Sequence, residues 1–265
     1  MNPSNIIAFG RTAEILTYDH LHILKHFKSD MPLSSVITEY NNTKAVYELG
    51  IQCTKPIEVI DYVGRKGIIY ERIIGKNMLS KIIENPQIVI GEAQKLASIH
   101  LDIHERSVEN FPKQKEVLAE QIKNAPLISN QIKDRILNKL FELPDDTKLC
   151  HGDFHPDNII ESEDKDWVID WMTGMQGNPA GDVARTYLLL KLGSIPEELP
   201  KEIQVFVLHQ RNQIFENYMK SYLDKSAITS KEIMDWISPV AAARLCEWIP
   251  DEEKNNLVEV IINNL

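Results

Sequence analysis

Three polar residues in the middle of the chain have the types and the spacing that phosphoryl transfer requires. Asp153 is followed five residues later by Asn158, and Asp170 ends a short apolar run. In enzymes that transfer phosphate from ATP, one carboxylate accepts the proton of the acceptor hydroxyl. An amide oxygen and a second carboxylate hold Mg²⁺ on the nucleotide phosphates. The spacing therefore predicts Asp153 as the catalytic base and Asn158 and Asp170 as the metal ligands.

The segment between Asn158 and Asp170 is predicted to form a hairpin. Residues 158–160 and 167–169 are β-prone, and the polar run 161–166 between them is typical of a turn. Because a hairpin returns the chain to its starting point, we expect Asn158 and Asp170 to lie close together.

The same segment resembles the catalytic loop of a known family. The run is His151-Gly152-Asp153-Phe154-His155-Pro156-Asp157-Asn158, and it meets the pattern His-x-Asp-x-x-x-x-Asn of the aminoglycoside phosphotransferase/choline kinase family. Residues 169–171 are similar to the metal-binding strand end of that family, residues 181–184 to its short acidic motif, and residues 96–100 to a helix-end signature. The resemblance spans most of the chain and weakens after about residue 195.

This resemblance implies a fold, cofactors and a class of substrate. The fold would be α+β and protein-kinase-like, with a small antiparallel β N-lobe and a mostly helical C-lobe. We expect residues 1–74 to form the N-lobe, a nucleotide-binding sheet with one helix. Residues 75–265 would form the C-lobe, with the catalytic loop, the metal site and the acceptor pocket. ATP, or alternatively GTP, and Mg²⁺ would be the cofactors, and the acceptor would be a small molecule with a hydroxyl group, such as an amine-containing sugar or alcohol.

Apolar periodicity predicts the same division into strands and helices. Residues 6–16, 21–27, 57–62 and 68–74 are apolar or alternating runs typical of strands. Residues 34–49 have helical spacing, and Gly50 follows as a C-terminal cap would. Further helices are predicted at about 86–101, 113–141 with a break near residue 125, 182–192, 201–223, 230–248 and 251–264.

Two charged residues of the predicted N-lobe are candidates for phosphate binding. Lys25 lies on a predicted strand, where a compact ammonium would contact the α- and β-phosphates. Glu39, on the following helix, would orient it through an ion pair. Lys28 and Glu48 are the alternatives for these two roles.

Two backbone segments complete the predicted nucleotide site. The turn at Gly10 and Arg11 joins two predicted strands and would cover the phosphates, although it carries a single glycine. The segment from Glu71 to Ile73 occupies the position at which the backbone would read the purine edge, or it is simply the last strand of the sheet.

The acceptor site is the least defined part of the sequence. His155 would lie near the acceptor, and Trp171 would either frame the acceptor pocket or belong to the core. Glu247 and Trp248 could hold an amine through a carboxylate and an aromatic face, or they could form a solvated helix end.

For two further residues, Asp182 and His151, the sequence predicts structural roles. The resemblance implies that Asp182 steadies the catalytic loop, whereas its position before a predicted helix suggests an N-cap. In this motif a histidine at the position of His151 usually braces the loop.

Two other functions remain possible from the sequence. His151, Asp153 and His155 would share one face of an extended strand, and such a set could bind the metal of a hydrolase. The chain could also be a catalytically silent kinase-like protein that only binds nucleotide.

Composition and charge limit the cellular setting. The net charge is −10 without a basic stripe, which disfavours nucleic acid as a partner. Three cysteines with no Cys-x-x-Cys spacing fit a reducing compartment. No signal-like segment and no long apolar run is present in the sequence. We therefore expect a cytoplasmic protein, a monomer or homodimer, with no membrane partner.

Overall fold

The computed structural model describes residues 5–195 and 200–265. In chain order these residues form β1 (Ile6–Phe9), β2 (Ala13–Thr17), β3 (His22–Phe27), α1 (Leu33–Glu48), β4 (Pro56–Tyr62), β5 (Arg65–Glu71), β6 (Lys76–Asn77), α2 (Met78–Glu84), α3 (Val89–Glu105), α4 (Gln114–Asn124), α5 (Asn130–Glu142), β7 (Lys148–Cys150), β8 (Ile159–Glu161), β9 (Asp166–Val168), β10 (Met175–Gly177), α6 (Pro179–Leu192), α7 (Lys201–Lys225), α8 (Ser230–Arg244) and α9 (Asp251–Asn263).

The chain divides into two compact units, each formed by two stretches of sequence. The first unit contains the described residues up to Met78 together with Asp157–Gly174. The second contains Leu79–Pro156 and Met175–Leu265. Asn158 and Asp170 therefore belong to the first unit, whereas Asp153 belongs to the second. The functions assigned above to residues 1–74 and 75–265 stay predictions.

A five-stranded antiparallel sheet with the order β1-β2-β3-β5-β4 forms the centre of the first unit. Successive side chains of a strand point to opposite faces of a sheet. Phe27, Ile68 and Tyr70 accordingly belong to one core cluster, while Leu24 and Ile69 belong to another. The strands predicted from alternation are confirmed, although the run 6–16 is two strands separated by a turn and the strand predicted at 68–74 is β5 at Arg65–Glu71.

Helix α1 connects β3 to β4 and supplies one side of the first core. Its buried residues recur at intervals of three and four: Val36, Glu39, Asn42, Thr43 and Val46. Gly50 lies just beyond its end with φ of +77°, a left-handed conformation that glycine adopts without steric cost. The helix and its predicted cap are confirmed.

A smaller sheet in the first unit contains the predicted hairpin. β8 and β9 pair in antiparallel register, and β6 adds to the other side of β8. The N–H of Val168 donates to the carbonyl of Gln52 at 2.9 Å, which attaches the hairpin to the chain just after α1.

The second unit is mainly helical. α3 packs on α7 and α6 packs on α8, while β7 and β10 form a two-stranded sheet. A Cβ atom at Gly181 would lie 2.8 Å from the Trp236 ring, so the close approach of α6 and α8 requires glycine there. None of the described helices has both the length and the hydropathy needed to cross a bilayer.

Several predicted helix boundaries differ from the structure, and α3, for example, ends at Glu105 rather than at about residue 101. α6 begins at Pro179 rather than at Asp182, because the side chain of Asn178 caps it by accepting from the N–H of Ala180 at 2.9 Å. α3 begins after a single 3₁₀ turn at Pro86–Ile88. α8 ends at Arg244 rather than at residue 248, since the amide of Cys246 bonds to the third carbonyl before it.

Candidate active site

In the first unit, the ammonium of Lys25 connects two carboxylates. Its Nζ donates to Glu39 Oε1 at 2.7 Å and to Asp170 Oδ1 at 3.1 Å. The Tyr70 hydroxyl donates to the same Glu39 oxygen at 2.9 Å. Burial disfavours the charge of Lys25, but the Asp170 and Glu39 carboxylates outweigh it and hold the pKa of Lys25 above its usual value. The structure thus brings together the predicted pair, Lys25 and Glu39, with the predicted metal ligand Asp170.

The hairpin places Asn158 and Asp170 at its two ends. The N–H of Ile169 donates to the carbonyl of Asn158 at 3.0 Å, so Asn158, just before β8, lies close to Asp170, two residues after β9, as predicted. Asp170 has φ of +66°, in the left-handed region that Asp adopts more readily than most residues. Its side chain is 38% exposed, so a cation can reach it. An amide and a carboxylate supply the oxygen ligands that Mg²⁺ prefers, and this donor set fits the ion.

The two predicted backbone segments for the nucleotide lie in turns or at strand ends. Gly10 and Arg11 are exposed in the turn between β1 and β2, where the Gly10 N–H donates to the carbonyl of Ala13 at 2.8 Å. Glu71 ends β5, and its carbonyl accepts from the Thr54 hydroxyl at 2.7 Å. Among the described residues no hydrogen bond involves the backbone of Ile73, which suits a segment that pairs with a ligand.

In the second unit, the side chain of Asp153 is bound by an arginine. Arg185 Nη2 donates to Asp153 Oδ1 at 3.1 Å, and His155 Nε2 lies 3.5 Å from Asp153 Oδ2. Burial raises the pKa of Asp153, but the hydrogen bond and charge of His155 and the charge of Arg185 hold it well below its usual range. Asp153 is therefore ionised and is a weak base.

Asp182 binds the backbone of the loop that carries Asp153. Its Oδ2 accepts from the N–H of His151 at 2.6 Å, and its Oδ1 accepts from the N–H of Gly152 at 2.8 Å. The imidazole of His151 accepts in turn from the N–H of Asp153 at 3.2 Å. Asp182 lies in the first turn of α6, where it braces the loop, and it is not the N-cap that the sequence suggested.

Two histidines of α3 surround the buried end of Asp182. The Nε2 atoms of His100 and His104 lie 3.1 Å and 3.2 Å from Asp182 Oδ2. Their Nδ1 atoms lie 2.6 Å from the Tyr218 hydroxyl and 2.7 Å from the Tyr222 hydroxyl. In this network each tyrosine hydroxyl can donate to Nδ1, and each Nε2–H can donate to the carboxylate. Burial, followed by the neighbouring His104, lowers the pKa of His100 to about 3.

The remaining acceptor-site candidates occupy different environments. Trp171 is fully buried and its indole N–H donates to the carbonyl of Val168, so it belongs to the core, the second of the two predicted alternatives. Trp248 is 63% exposed. Glu247 accepts from Arg185 at one oxygen and from Arg244 at the other, the latter at 2.7 Å. Two arginines therefore already bind its carboxylate. A role for Glu247 in binding an amine stays a prediction.

The predicted hydrolase site gains no support from the geometry. Within the described residues, the group of potential metal ligands that lie within 4.8 Å of one another is His100, His104 and Asp182. That group does not include His151 or His155, and the ring of His151 is bonded to the Asp153 amide.

Sequence reasoning did not predict the contacts that surround Asp153 and Asp182, although Arg185 could be recognised as a neighbour of Asp182 on a helix. Arg185 lies three residues after Asp182, which on a helix places both side chains on one face. His104 follows His100 by four residues, again on one face of a helix. These spacings were visible in the sequence. The residues that bind the two histidines and Arg185, however, lie on α7 and after α8, far along the chain.

Solved structures share this fold over almost the whole chain. An amicoumacin kinase in complex with AMP-PNP and Ca²⁺ is 16% identical and aligns over 98% of this chain and 87% of its own, with a TM-score of 0.61. The aminoglycoside phosphotransferase APH(4)-Ia, in a ternary complex with AMP-PNP and hygromycin B, is 12% identical over 98% of this chain and 92% of its own, with a TM-score of 0.66. A choline/ethanolamine kinase family protein from Mesorhizobium loti is 14% identical over 99% and 85%, with a TM-score of 0.59. These similarities confirm the predicted kinase-like α+β fold.

Sequence comparison gives the family. No curated protein sequence matches the chain significantly. The model of the phosphotransferase enzyme family, however, matches residues 22–205, which include Lys25, Asp153, Asn158 and Asp170. With more than half of its length matched, the chain belongs to the phosphotransferase enzyme family and is a small-molecule kinase.

Proposed function

We propose that this protein transfers the γ-phosphoryl group of ATP or GTP to a hydroxyl of a small molecule, with Asp153 as the catalytic base. Asn158 and Asp170 would hold Mg²⁺, and Lys25, oriented by Glu39, would contact the nucleotide phosphates. The turn at Gly10 and Arg11 would cover the phosphates, and the backbone from Glu71 to Ile73 would read the base. Residues 1–74 would thus supply most of the nucleotide site.

The observation that carries this proposal is the ion-paired Lys25. A lysine that is 8% exposed and bound to both Glu39 and Asp170 has its ammonium held on a strand rather than in solvent. Such a fixed cation suits the phosphates of a nucleotide. Lys25 lies within residues 22–205, which match the family model, and the full His-x-Asp-x-x-x-x-Asn motif lies within the same residues.

Each side chain would have a limited chemical task. The transition state of phosphoryl transfer is loose, so the enzyme acts mainly by positioning and by electrostatic stabilisation. Asp153 would orient the acceptor hydroxyl and receive its proton late, which a weak but ionised base can do. When bound, Mg²⁺ supplies positive charge to the phosphate oxygens.

The acceptor is proposed to contain an amine as well as a hydroxyl. Similar structures were solved with hygromycin B and with streptomycin, and another belongs to a choline/ethanolamine kinase family. His155, Glu247 and Trp248 are the candidate contacts that remain accessible, since the side chains of His155 and Glu247 are each about one quarter exposed. The protein is further proposed to be cytoplasmic, a monomer or homodimer, without a nucleic-acid or membrane partner.

The test is a coupled assay of ADP or GDP release. Purified protein receives Mg-ATP or Mg-GTP with a panel of amino sugars, amino alcohols, nucleosides and hydroxy amino acids. We expect acceptor-dependent release that falls by about 10²- to 10⁴-fold in Asp153→Asn, the range that general-base catalysis contributes. Nucleotide affinity should be nearly unchanged in this variant.

A second variant separates the metal site from the base. Asp170→Ala should weaken the binding of Mg-ATP itself, measured by calorimetry. Normal Mg-ATP affinity in Asp170→Ala would remove Asp170 from the metal site. Nucleotide binding without turnover on any acceptor would favour the silent binding protein, and equal loss of binding and turnover in Asp153→Asn would remove Asp153 as base.

A further inference from the structure

One face of α6 holds the loop around Asp153 at several points. Asp182 accepts from the backbone N–H groups of His151 and Gly152, as described above. Thr186, one turn further along the helix, donates its hydroxyl to the carbonyl of Phe154 at 2.8 Å. The loop backbone is thus fixed on both sides of Asp153 without any contribution from Arg185.

Arg185 lies between those two residues and binds a side chain instead. Its Nη2 donates to Asp153 Oδ1 at 3.1 Å, and its Nη1 donates to Glu247. The arginine side chain is 12% exposed, whereas that of Asp153 is 31% exposed. A nearly buried guanidinium therefore fixes a carboxylate that remains open to solvent.

Arg185 is itself fixed by a row of alternating charges. The second oxygen of Glu247 accepts from Arg244 Nη1 at 2.7 Å. Arg244 Nε donates to Glu253 Oε1 at 2.9 Å, and Glu253 Oε2 accepts from the Ser194 N–H at 2.9 Å. Arg244 and Glu253 are almost completely buried, on α8 and α9. Because each member holds the next, the guanidinium of Arg185 has little rotational freedom.

We infer that Arg185 is a positioning residue for phosphoryl transfer, which holds the Asp153 carboxylate in one orientation while Glu247 and Arg244 hold Arg185. This inference rests on the proposed role of Asp153. Arg185 binds Oδ1 of Asp153, and His155 Nε2 lies 3.5 Å from Oδ2. Glu247 accordingly anchors an arginine.

The kinetic test compares three changes at Arg185. Arg185→Gln keeps the length of the side chain but removes the charge and the forked donor. A misplacement of about 1 Å can cost on the order of 10²-fold in rate, so we expect kcat to fall by about that factor while KM for ATP stays within about threefold. Arg185→Lys should retain an intermediate rate, because an ammonium can reach one carboxylate but cannot bridge two in fixed geometry. Millimolar guanidinium should partly restore Arg185→Ala.

The control is a second arginine of the same unit. Arg211 donates to the carbonyl of Gly193 and is bonded to neither Asp153 nor Glu247. Arg211→Gln should keep the wild-type kcat even if it lowers thermal stability. Glu247→Gln should lower kcat in the same direction as Arg185→Gln, and the double variant should be no slower than Arg185→Gln alone, since both act through one contact. A wild-type kcat in folded Arg185→Gln would overturn the inference.

A readout without any acceptor separates this inference from the proposed function. The ¹³C carboxyl resonance of Asp153, identified by its loss in Asp153→Asn, is followed over pH in wild type and in Arg185→Gln. Removing the guanidinium should move the titration of Asp153 to higher pH. Identical titrations would overturn the inference even in an active enzyme. A clear shift in a protein that never shows turnover would keep Arg185 as the partner of Asp153 and would reject the kinase proposal.

Discussion

Asp182 accepts a hydrogen bond from the backbone N–H of His151 at 2.6 Å. The same carboxylate also binds the N–H of Gly152 and the imidazoles of His100 and His104. Burial raises the pKa of Asp182, but the hydrogen bonds from both imidazoles hold it well below its usual range. One ionised group thus joins the loop that carries Asp153 to α3.

Asp182→Asn should destabilise the protein strongly. An amide offers one acceptor oxygen and turns its NH₂ group toward buried donors, which leaves polar groups unpaired. We expect a loss of about 2–4 kcal/mol in the free energy of unfolding, measured by urea denaturation. The matched control is Asp102→Asn, which removes an exposed ion pair with Arg106 on α3 and should cost less than about 1 kcal/mol. Similar losses in both variants would contradict the bracing role of Asp182.

Stability should fall as the pH drops below about 6.5 because His100 is buried as the neutral form. Its pKa is lowered to about 3 in the folded protein, from 6.5 in an ordinary environment. Between these values the unfolded chain binds a proton that the folded chain does not, so the free energy of unfolding decreases with falling pH. The slope from this group is at most about 1.4 kcal/mol per pH unit.

Urea denaturation at several pH values between 7.5 and 5 measures this dependence. His100→Gln keeps an N–H donor near Asp182 and should flatten the slope in this window. His209 is exposed on α7, and His209→Gln serves as the control that should keep the wild-type slope. An unchanged slope in His100→Gln would show that another group binds the proton.

Lys25→Met should destabilise the first unit, and a second change should partly reverse the effect. Without Lys25, the buried Glu39 carboxylate loses its cation, and breaking a buried pair in this way costs about 3–5 kcal/mol. The double variant Lys25→Met/Glu39→Gln no longer carries the uncompensated charge, so it should regain part of the lost stability. Lys66→Met is the control, because its partner Asp61 is largely exposed. Thermal unfolding of the wild type, Lys25→Met, Glu39→Gln and the double variant measures the coupling between the two residues, and strict additivity would argue against the pair.

Gly75→Ala and Gly91→Ala should have opposite effects on stability. A Cβ at Gly75 would overlap the backbone carbonyl of Glu161, which cannot move without disturbing the pairing of β6 with β8. We expect a loss of about 1–3 kcal/mol. Gly91 lies inside α3 with open space around its Cα, and alanine there should stabilise the protein by about 0.5–1 kcal/mol. Differential scanning calorimetry of the two variants tests this prediction. A higher stability in both variants would contradict the close contact at Gly75.

The elements of this fold could be predicted wherever local patterns determine them. Helix α1 and its glycine cap follow from apolar residues at threes and fours, and the hairpin follows from two β-prone runs around a polar turn. Boundaries were less predictable when a tertiary contact or a competing cap decided them. Asn178 rather than Asp182 caps α6, and the sequence alone could not decide between them because Asn and Asp are both favoured at the N-cap of a helix.

The candidate site was predictable in its motif and not in its surroundings. Asp153 and Asn158 follow from spacing alone, and Lys25 with Glu39 follows from their place on consecutive elements. The contact between Arg185 and Glu247 joins residues 62 positions apart, and no local pattern specifies such a partner. Long-range ion pairs depend on how helices pack, which one sequence does not reveal.

The interrupted course of the chain has a consequence for synthesis on the ribosome. Asn42 of α1 donates to the carbonyls of Trp171 and Gly174, each at 3.1 Å, so the first unit needs residues that are translated long after its sheet. Domains generally fold as units as they emerge during translation. The first 78 residues therefore leave the ribosome without the segment Asp157–Gly174 that completes their unit, and they must remain incomplete until most of the second unit has been made. During this interval the early sheet is the part of the nascent chain that most needs protection from aggregation.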